Sequence, residues 1–280
     1  MEELDFSRPA ERPQPVNLAA ALNFFRTAGV AENVDLGTNI FVEDEKSRLF
    51  SRRARKMYLL MEGEVNLIAA NKLIAVLKPG EIFGEMAAIS DSPRAATAVA
   101  KTPCRLISMD EKGFRAALKA KPDFALTLLG MMINRLRGML ARAKDSGSLG
   151  EAKKESRVFD KRLLAALAKG LGPTNIARYE KGRTIMTEGQ AGAMMYVVQE
   201  GRVAVSIRGR VVERVGVGGA FGEMALVDQS PRAATAIAET ASILLTLNRA
   251  VFLQLVKTQP EFGVALLAAT AERVRFVASR

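Results

Sequence analysis

The amino-acid sequence predicts an α+β chain, mainly β, built from two tandem copies of one domain in which a strand-rich block is flanked by helices. Three observations predict it: a repeat at constant offset, β-branched and apolar runs broken by turn residues in each copy, and helical patterns following each run. Phe83-Gly84-Glu85-Met86-Ala87 recurs as Phe221-Gly222-Glu223-Met224-Ala225, and Ser92-Pro93-Arg94-Ala95-Ala96-Thr97-Ala98 recurs as Ser230-Pro231-Arg232-Ala233-Ala234-Thr235-Ala236, both at an offset of 138 residues. The same offset pairs Met57-Tyr58 with Met195-Tyr196, Glu62-Gly63 with Glu200-Gly201, Phe114 with Phe252, Pro122 with Pro260 and Arg135 with Arg273. Upstream, Ile40 and Glu43 match Ile185 and Glu188 at an offset of 145, so the first copy carries seven additional residues between Glu43 and Met57. A period this long means duplicated domains rather than a solenoid.

Each element follows from local chemistry. Residues 1–16, with Pro9, Pro13 and Pro15, read as a flexible arm. The first domain spans 17–143 and opens with a short apolar helix, Leu18 to Phe25. Met57 to Ile68 and Met195 to Ile207, interrupted by Gly63 and Gly201, suit short antiparallel strands joined by tight turns. Lys78-Pro79-Gly80 places Pro and Gly where a type II turn wants them, and the second copy has Gly218-Gly219 there. Helical patterns run from Asp110 to Lys119 and Pro122 to Ala143, then from Asn248 to Lys257 and Pro260 to Ser279, with Pro near the start of each final helix. The small, polar stretch Lys144 to Glu151 marks a linker over 144–160. The second domain spans 161–280 and opens with the apolar helix Lys161 to Lys169.

Composition bounds the function. At 280 residues, with 49% hydrophobic and 25% charged residues, the chain has the balance of two globular domains with real cores. No uncharged apolar run approaches the roughly 18 residues that span a bilayer. The start, Met1-Glu2-Glu3-Leu4-Asp5, is acidic where a secretory signal is basic, so the expected location is the cytoplasm. The single cysteine, Cys104, is expected to be a reduced, buried thiol, and Met57, Met86, Met195 and Met224 to fill cores. The chain has no histidine, which removes the common nucleophilic triads and zinc sites, so neither enzymatic activity nor a metal is expected. Lys and Arg total 41 against 30 Asp and Glu, a net charge of +11 that attracts anionic ligands of any kind.

The repeated motif narrows the choice. Each copy presents Gly-Glu, a short apolar helical turn, then Pro-Arg-Ala-Ala-Thr, with Arg94 nine residues after Glu85 and Arg232 nine after Glu223. A guanidinium fork meets the single negative charge of a cyclised phosphodiester with charge-assisted hydrogen bonds, and a fixed carboxylate accepts the free ribose 2′-hydroxyl beside it. The glycine before the Glu lets backbone approach the sugar, and the turn that follows points free amides toward the phosphate.

These motifs resemble the phosphate-binding cassette of the cyclic-nucleotide-binding domain family, particularly the tandem domains of protein kinase A regulatory subunits, and also the catabolite activator effector domain. The resemblance covers Leu18 to Ala143 and Lys161 to Arg280. It implies two eight-stranded jelly-roll β-barrels, each flanked by helices that move when ligand binds. Glu85 and Glu223 would hold the ribose, Arg94 and Arg232 the phosphate, while Gly84, Gly222, Ala95, Ala96, Ala233 and Ala234 line the cassette. Phe83, Met86, Ala87 and Thr97, with Phe221, Met224, Ala225 and Thr235, complete the two sites. Cyclic AMP is the implied regulatory ligand and cyclic GMP the weaker one, because Ala95 and Ala233 offer the guanine 2-amino group no hydroxyl. Arg135, Arg273 and Thr270 on the final helices stand as further candidates for base contact.

The implied role is signal transduction, with nucleotide occupancy read by a protein effector. A catabolite-activator type regulator would need a helix-turn-helix, for which neither the end at Arg280 nor the stretch Lys144 to Thr174 leaves room, so no sequence-specific nucleic-acid binding is expected. A kinase regulatory subunit is the other alternative. Arg52-Arg53-Ala54-Arg55-Lys56 superficially resembles a pseudosubstrate, but Arg55 stands where the phosphoacceptor belongs, and the short arm before Leu18 lacks a helical dimerisation region. The basic run is therefore read as a solvated loop tip.

Overall fold

A computed structural model describes residues 18–44, 56–90, 92–145 and 158–278. The expected arm, the basic run as far as Arg55 and most of the expected linker lie outside these residues.

In the first copy the strands are β1 (Val30–Val34), β2 (Asn39–Phe41), β3 (Met57–Glu62), β4 (Val65–Ala69), β5 (Lys72–Leu77), β6 (Ile82–Phe83), β7 (Thr97–Ala100) and β8 (Cys104–Met109). They form two antiparallel sheets, β1-β8-β3-β6 and β2-β7-β4-β5. The second copy repeats the pattern with β9 (Ile176–Tyr179), β10 (Thr184–Met186), β11 (Met195–Glu200), β12 (Val203–Ile207), β13 (Arg210–Val215), β14 (Ala220–Phe221), β15 (Thr235–Ala238) and β16 (Ser242–Leu247). Its sheets are β9-β16-β11-β14 and β10-β15-β12-β13, the same order strand for strand. This double-sheet arrangement is the jelly roll. The expected turn at Lys78-Pro79-Gly80 is present, with Gly80 at φ 93° and the Glu81 N–H donating to the Lys78 carbonyl at 3.2 Å.

The continuous apolar runs have a physical cause. Successive side chains of a strand point to opposite faces, and in β3 both faces are covered. Tyr58 and Leu60 enter the barrel interior, while Met57 and Leu59 join a second core formed with the helices. In β11, Tyr196 and Val198 face the barrel, and Met195 and Val197 face the helices. Cys104 is a buried free thiol, as expected. Met57 and Met195 are fully buried, and Met86 and Met224 pack partly buried against the helical core.

Eight α-helices are described: α1 (Leu18–Phe25), α2 (Glu85–Ser90), α3 (Glu111–Ala120), α4 (Asp123–Asp145), α5 (Lys161–Leu171), α6 (Glu223–Asp228), α7 (Arg249–Thr258) and α8 (Pro260–Ala278). Side-chain caps fix three of their starts: Asp110 accepts from the Gly113 N–H, Asp160 from Leu163 and Asn248 from Val251.

The helices of the two copies pack reciprocally. α8 lies against α4 and α2, α6 lies against α4, and α3 meets α7. A single apolar core, which includes Phe24, Phe124, Leu129, Phe159, Phe252, Phe262 and Leu266, therefore runs from one copy into the other. Arg275 of α8 also donates to the carbonyl of Pro93, the residue next to Arg94. Among the described residues no helix is long and apolar enough to cross a membrane.

Candidate functional site

Each cassette begins at the end of a two-residue strand, β6 or β14, where the buried ring of Phe83 stacks on Tyr58 at 5.2 Å and that of Phe221 on Tyr196 at 5.1 Å. The glycines that follow, Gly84 and Gly222, take φ of 71° and 81°, a conformation that other L-residues adopt only with strain. A Cβ on Gly84 would fall 2.8 Å from Nη1 of Arg94, and one on Gly222 would fall 2.9 Å from Nη1 of Arg232. The glycines are thus required both by conformation and by the guanidinium packed against them. Gly222→Ala combines about 1–2 kcal/mol of left-handed strain with displacement of Arg232. It is expected to weaken ligand binding at the second cassette about five- to tenfold, a change readable by titration calorimetry.

The structure brings the predicted arginine and glutamate of each copy to one place. Arg94 is 1% exposed and Arg232 6% exposed, and Glu85 and Glu223 are 2% and 4% exposed. The guanidinium of Arg94 is solvated by backbone carbonyls, Nη1 donating to Gly84 at 2.7 Å and Nη2 to Lys56 at 2.8 Å, and it sits 4.1 Å from the centre of the Phe41 ring. Arg232 donates through Nη1 to the Gly222 carbonyl at 3.0 Å and lies 5.9 Å from the centre of the Tyr196 ring. Backbone at Gly192 packs so closely on Arg232 that a Cβ there would fall 2.2 Å from Nε. Burial lowers the Arg232 pKa, partly offset by the fields of Tyr196 and Glu223. Among the described residues Arg232 forms no ion pair with a carboxylate, so a largely desolvated positive charge stands beside the second cassette.

Other predicted residues fall into three groups. Ala87, Ala96, Ala225 and Ala234 are buried, and Met86 and Met224 are half-buried against the helical core. Ala95 is exposed and Ala233 half-buried, each next to a buried arginine. Thr97 and Thr235 accept the backbone N–H of Glu43 and Glu188, at 2.9 Å and 3.0 Å, and so tie the cassette to the turns that follow β2 and β10.

Several roles were not legible in the sequence. Arg135 on α4 is ion-paired with Glu85. Arg273 on α8 donates to Glu223 at 3.0 Å and also to Glu213 and the Ala220 carbonyl, at 3.1 Å and 2.6 Å. Both arginines, named above as candidates for base contact, are thus bound to cassette carboxylates. Burial lowers the pKa of Arg273, but Glu213 and Glu223 outweigh it and raise the net value. Thr270, the third candidate, is fully buried and donates to the Leu266 carbonyl at 2.9 Å, which turns its hydroxyl into its own helix. Lys56 departs from the reading of the basic run as a solvated tip: it is half-buried, its Nζ pairs with Glu32 at 2.5 Å, and its carbonyl accepts from Arg94. A pattern of positions cannot reveal this carbonyl contact, because it is made by backbone.

The chain is thus two jelly rolls in tandem, each with a buried guanidinium and a buried carboxylate in its repeated motif. The family model of the cyclic nucleotide-binding domain matches residues 45–121 and 176–259, and the chain belongs to that family. It is 32% identical over 209 residues to a cAMP-dependent protein kinase regulatory subunit of Eremothecium gossypii, covering 71% of this chain and 39% of the relative. It is 30% identical over 217 residues to a cAMP-dependent protein kinase regulatory subunit of Yarrowia lipolytica, covering 77% of this chain and 51% of the relative. To a cGMP-dependent protein kinase of Toxoplasma gondii it is 29% identical over 195 residues, covering 69% of this chain and 17% of the relative. The matched region thus spans about half or less of each relative's length.

Proposed function

We propose that the chain is a non-enzymatic cytoplasmic receptor that binds one cyclic nucleotide per domain, cyclic AMP in preference to cyclic GMP, and passes occupancy through its helices to a protein partner. The observation that carries this reading is the duplicated placement of one buried arginine and one buried glutamate, Arg94 and Glu85 in the first copy and Arg232 and Glu223 in the second, about a glycine against which the guanidinium packs. The arginine supplies the charge for the phosphodiester and the glutamate the acceptor for the ribose hydroxyl. The names of the two regulatory-subunit relatives favour cyclic AMP as ligand and a kinase-type protein as partner. The helices provide the route outward, since Arg135 and Arg273 tie α4 and α8 directly to the two ribose-binding carboxylates.

Titration calorimetry with cyclic AMP and cyclic GMP tests the proposal. Two sites per chain are expected. The base preference rests on Ala95 and Ala233, which follow the arginines directly and carry no hydroxyl for the guanine 2-amino group. Cyclic AMP is expected to bind about fivefold more tightly, the worth of one neutral hydrogen bond of roughly 1 kcal/mol. Ala233→Thr should then improve cyclic GMP at the second site and leave cyclic AMP nearly unchanged. Equal or tighter binding of cyclic GMP by the unmodified chain would sink the selectivity.

A further inference from the structure

The two copies differ at a position that touches the site. Glu213 lies on β13 opposite Val205 of β12, and its register equivalent in the first copy, opposite Leu67 of β4, is Ala75 on β5. The guanidinium of Arg273 stands between two carboxylates: Nε and Nη2 donate to Oε1 of Glu213 at 3.3 Å and 3.1 Å, and Nη1 donates to Oε1 of Glu223 at 3.0 Å. In the first copy the matching arginine pairs with Glu85, and Ala75 offers no carboxylate there. The Arg135 side chain is 35% exposed against 17% for Arg273.

Because the guanidinium is a rigid planar fork, holding one edge fixes the direction of the other. We propose that Glu213 is a positioning residue of the second nucleotide site: by clamping one edge of Arg273 it fixes the other edge on Glu223, and so orients that carboxylate for the ribose 2′-hydroxyl. The proposal rests on the receptor reading above. Without Glu213 the long Arg273 side chain regains rotamers, and Glu223 is oriented by a mobile partner instead of an anchored one. The Ala220 carbonyl, 2.6 Å from Nη2, holds the clamp close to the strand that leads into the cassette. The first site lacks this clamp, so it is an internal reference within the same chain.

The test uses the full chain and two probes, cyclic AMP and 2′-deoxy cyclic AMP. The second site is read by calorimetry in an Arg94→Ala background. Glu213→Ala is expected to weaken cyclic AMP there about tenfold, while 2′-deoxy cyclic AMP, which has no hydroxyl for Glu223, changes less than about twofold. The reciprocal variant, Ala75→Glu in an Arg232→Ala background, is expected to tighten cyclic AMP at the first site severalfold, again without effect on the deoxy ligand. Equal loss of both ligands in Glu213→Ala assigns the residue a general structural role and overturns the clamp. So does an unchanged affinity, or an Ala75→Glu variant that leaves the first site as it was. An unmodified chain that takes up neither ligand overturns the receptor reading itself, which separates that failure from failure of the clamp.

Discussion

Arg232→Ala is expected to weaken cyclic AMP at the second site by about ten- to a hundredfold and to leave the first site in place, with Arg94→Ala doing the reverse. A hydrogen bond to a charged group contributes about 1.5–3 kcal/mol, and each 1.4 kcal/mol is a factor of ten in affinity. The estimate belongs at the upper end of that range, because both guanidinium groups are nearly fully buried and a charge pair gains strength where water is excluded. The double variant should show both sites weakened by about these factors. Titration calorimetry on all three variants decides it. One site in the unmodified chain, untouched by Arg94→Ala, would mean that the first cassette has lost its ligand.

The largest stability effect is expected from Phe262→Ala. This ring is fully buried, stacks on Phe159 at 5.3 Å and meets Phe252 edge-on at 5.6 Å. Truncating a buried Phe to Ala costs about 3–5 kcal/mol, the lost transfer energy plus the cavity left behind. That is a large share of a typical domain stability of about 5–15 kcal/mol. Because Phe262 belongs to the core shared by both copies, urea unfolding should remain one transition with a lowered midpoint. Cyclic AMP at a hundred times its dissociation constant should restore about 2.7 kcal/mol for each occupied site. Two well-separated transitions in the unmodified chain would show that the shared core does not couple the copies. A midpoint unchanged by Phe262→Ala would show that the ring is not closely packed.

Much of the fold is written locally and was therefore legible. The helix Leu18–Phe25 has the expected bounds, and Gly63 and Gly201 divide the apolar runs into strand pairs. The expected starts at Asp110 and Asn248 prove to be caps rather than first helical residues, a one-position difference that arises because a cap is signalled by its side chain but lies just outside the helix. The cassettes were legible for another reason: two copies that differ at many positions still share the same glycine, glutamate and arginine. The sequence left Arg135, Arg273 and Thr270 as equal candidates for one role, and the structure separates them, two on carboxylates and one turned into its helix.

By itself, the sequence determined the duplication, the glycine-broken apolar runs that become the strands of each jelly roll, and the glycine, glutamate and arginine of each repeated motif. These depend on neighbours within a few residues or on comparison of the two copies. Only the tertiary structure decided that Arg135 meets Glu85 and Arg273 meets Glu223 across 50 residues of chain, that Glu213 joins the second pair from 60 residues away, and that Arg275 reaches Pro93 across 182. Such contacts are fixed when α4 and α8 dock on the barrels and on one another. That docking is driven by burial of an apolar core, which has no direction of its own and leaves no spacing in the sequence to record which polar groups it will bring together.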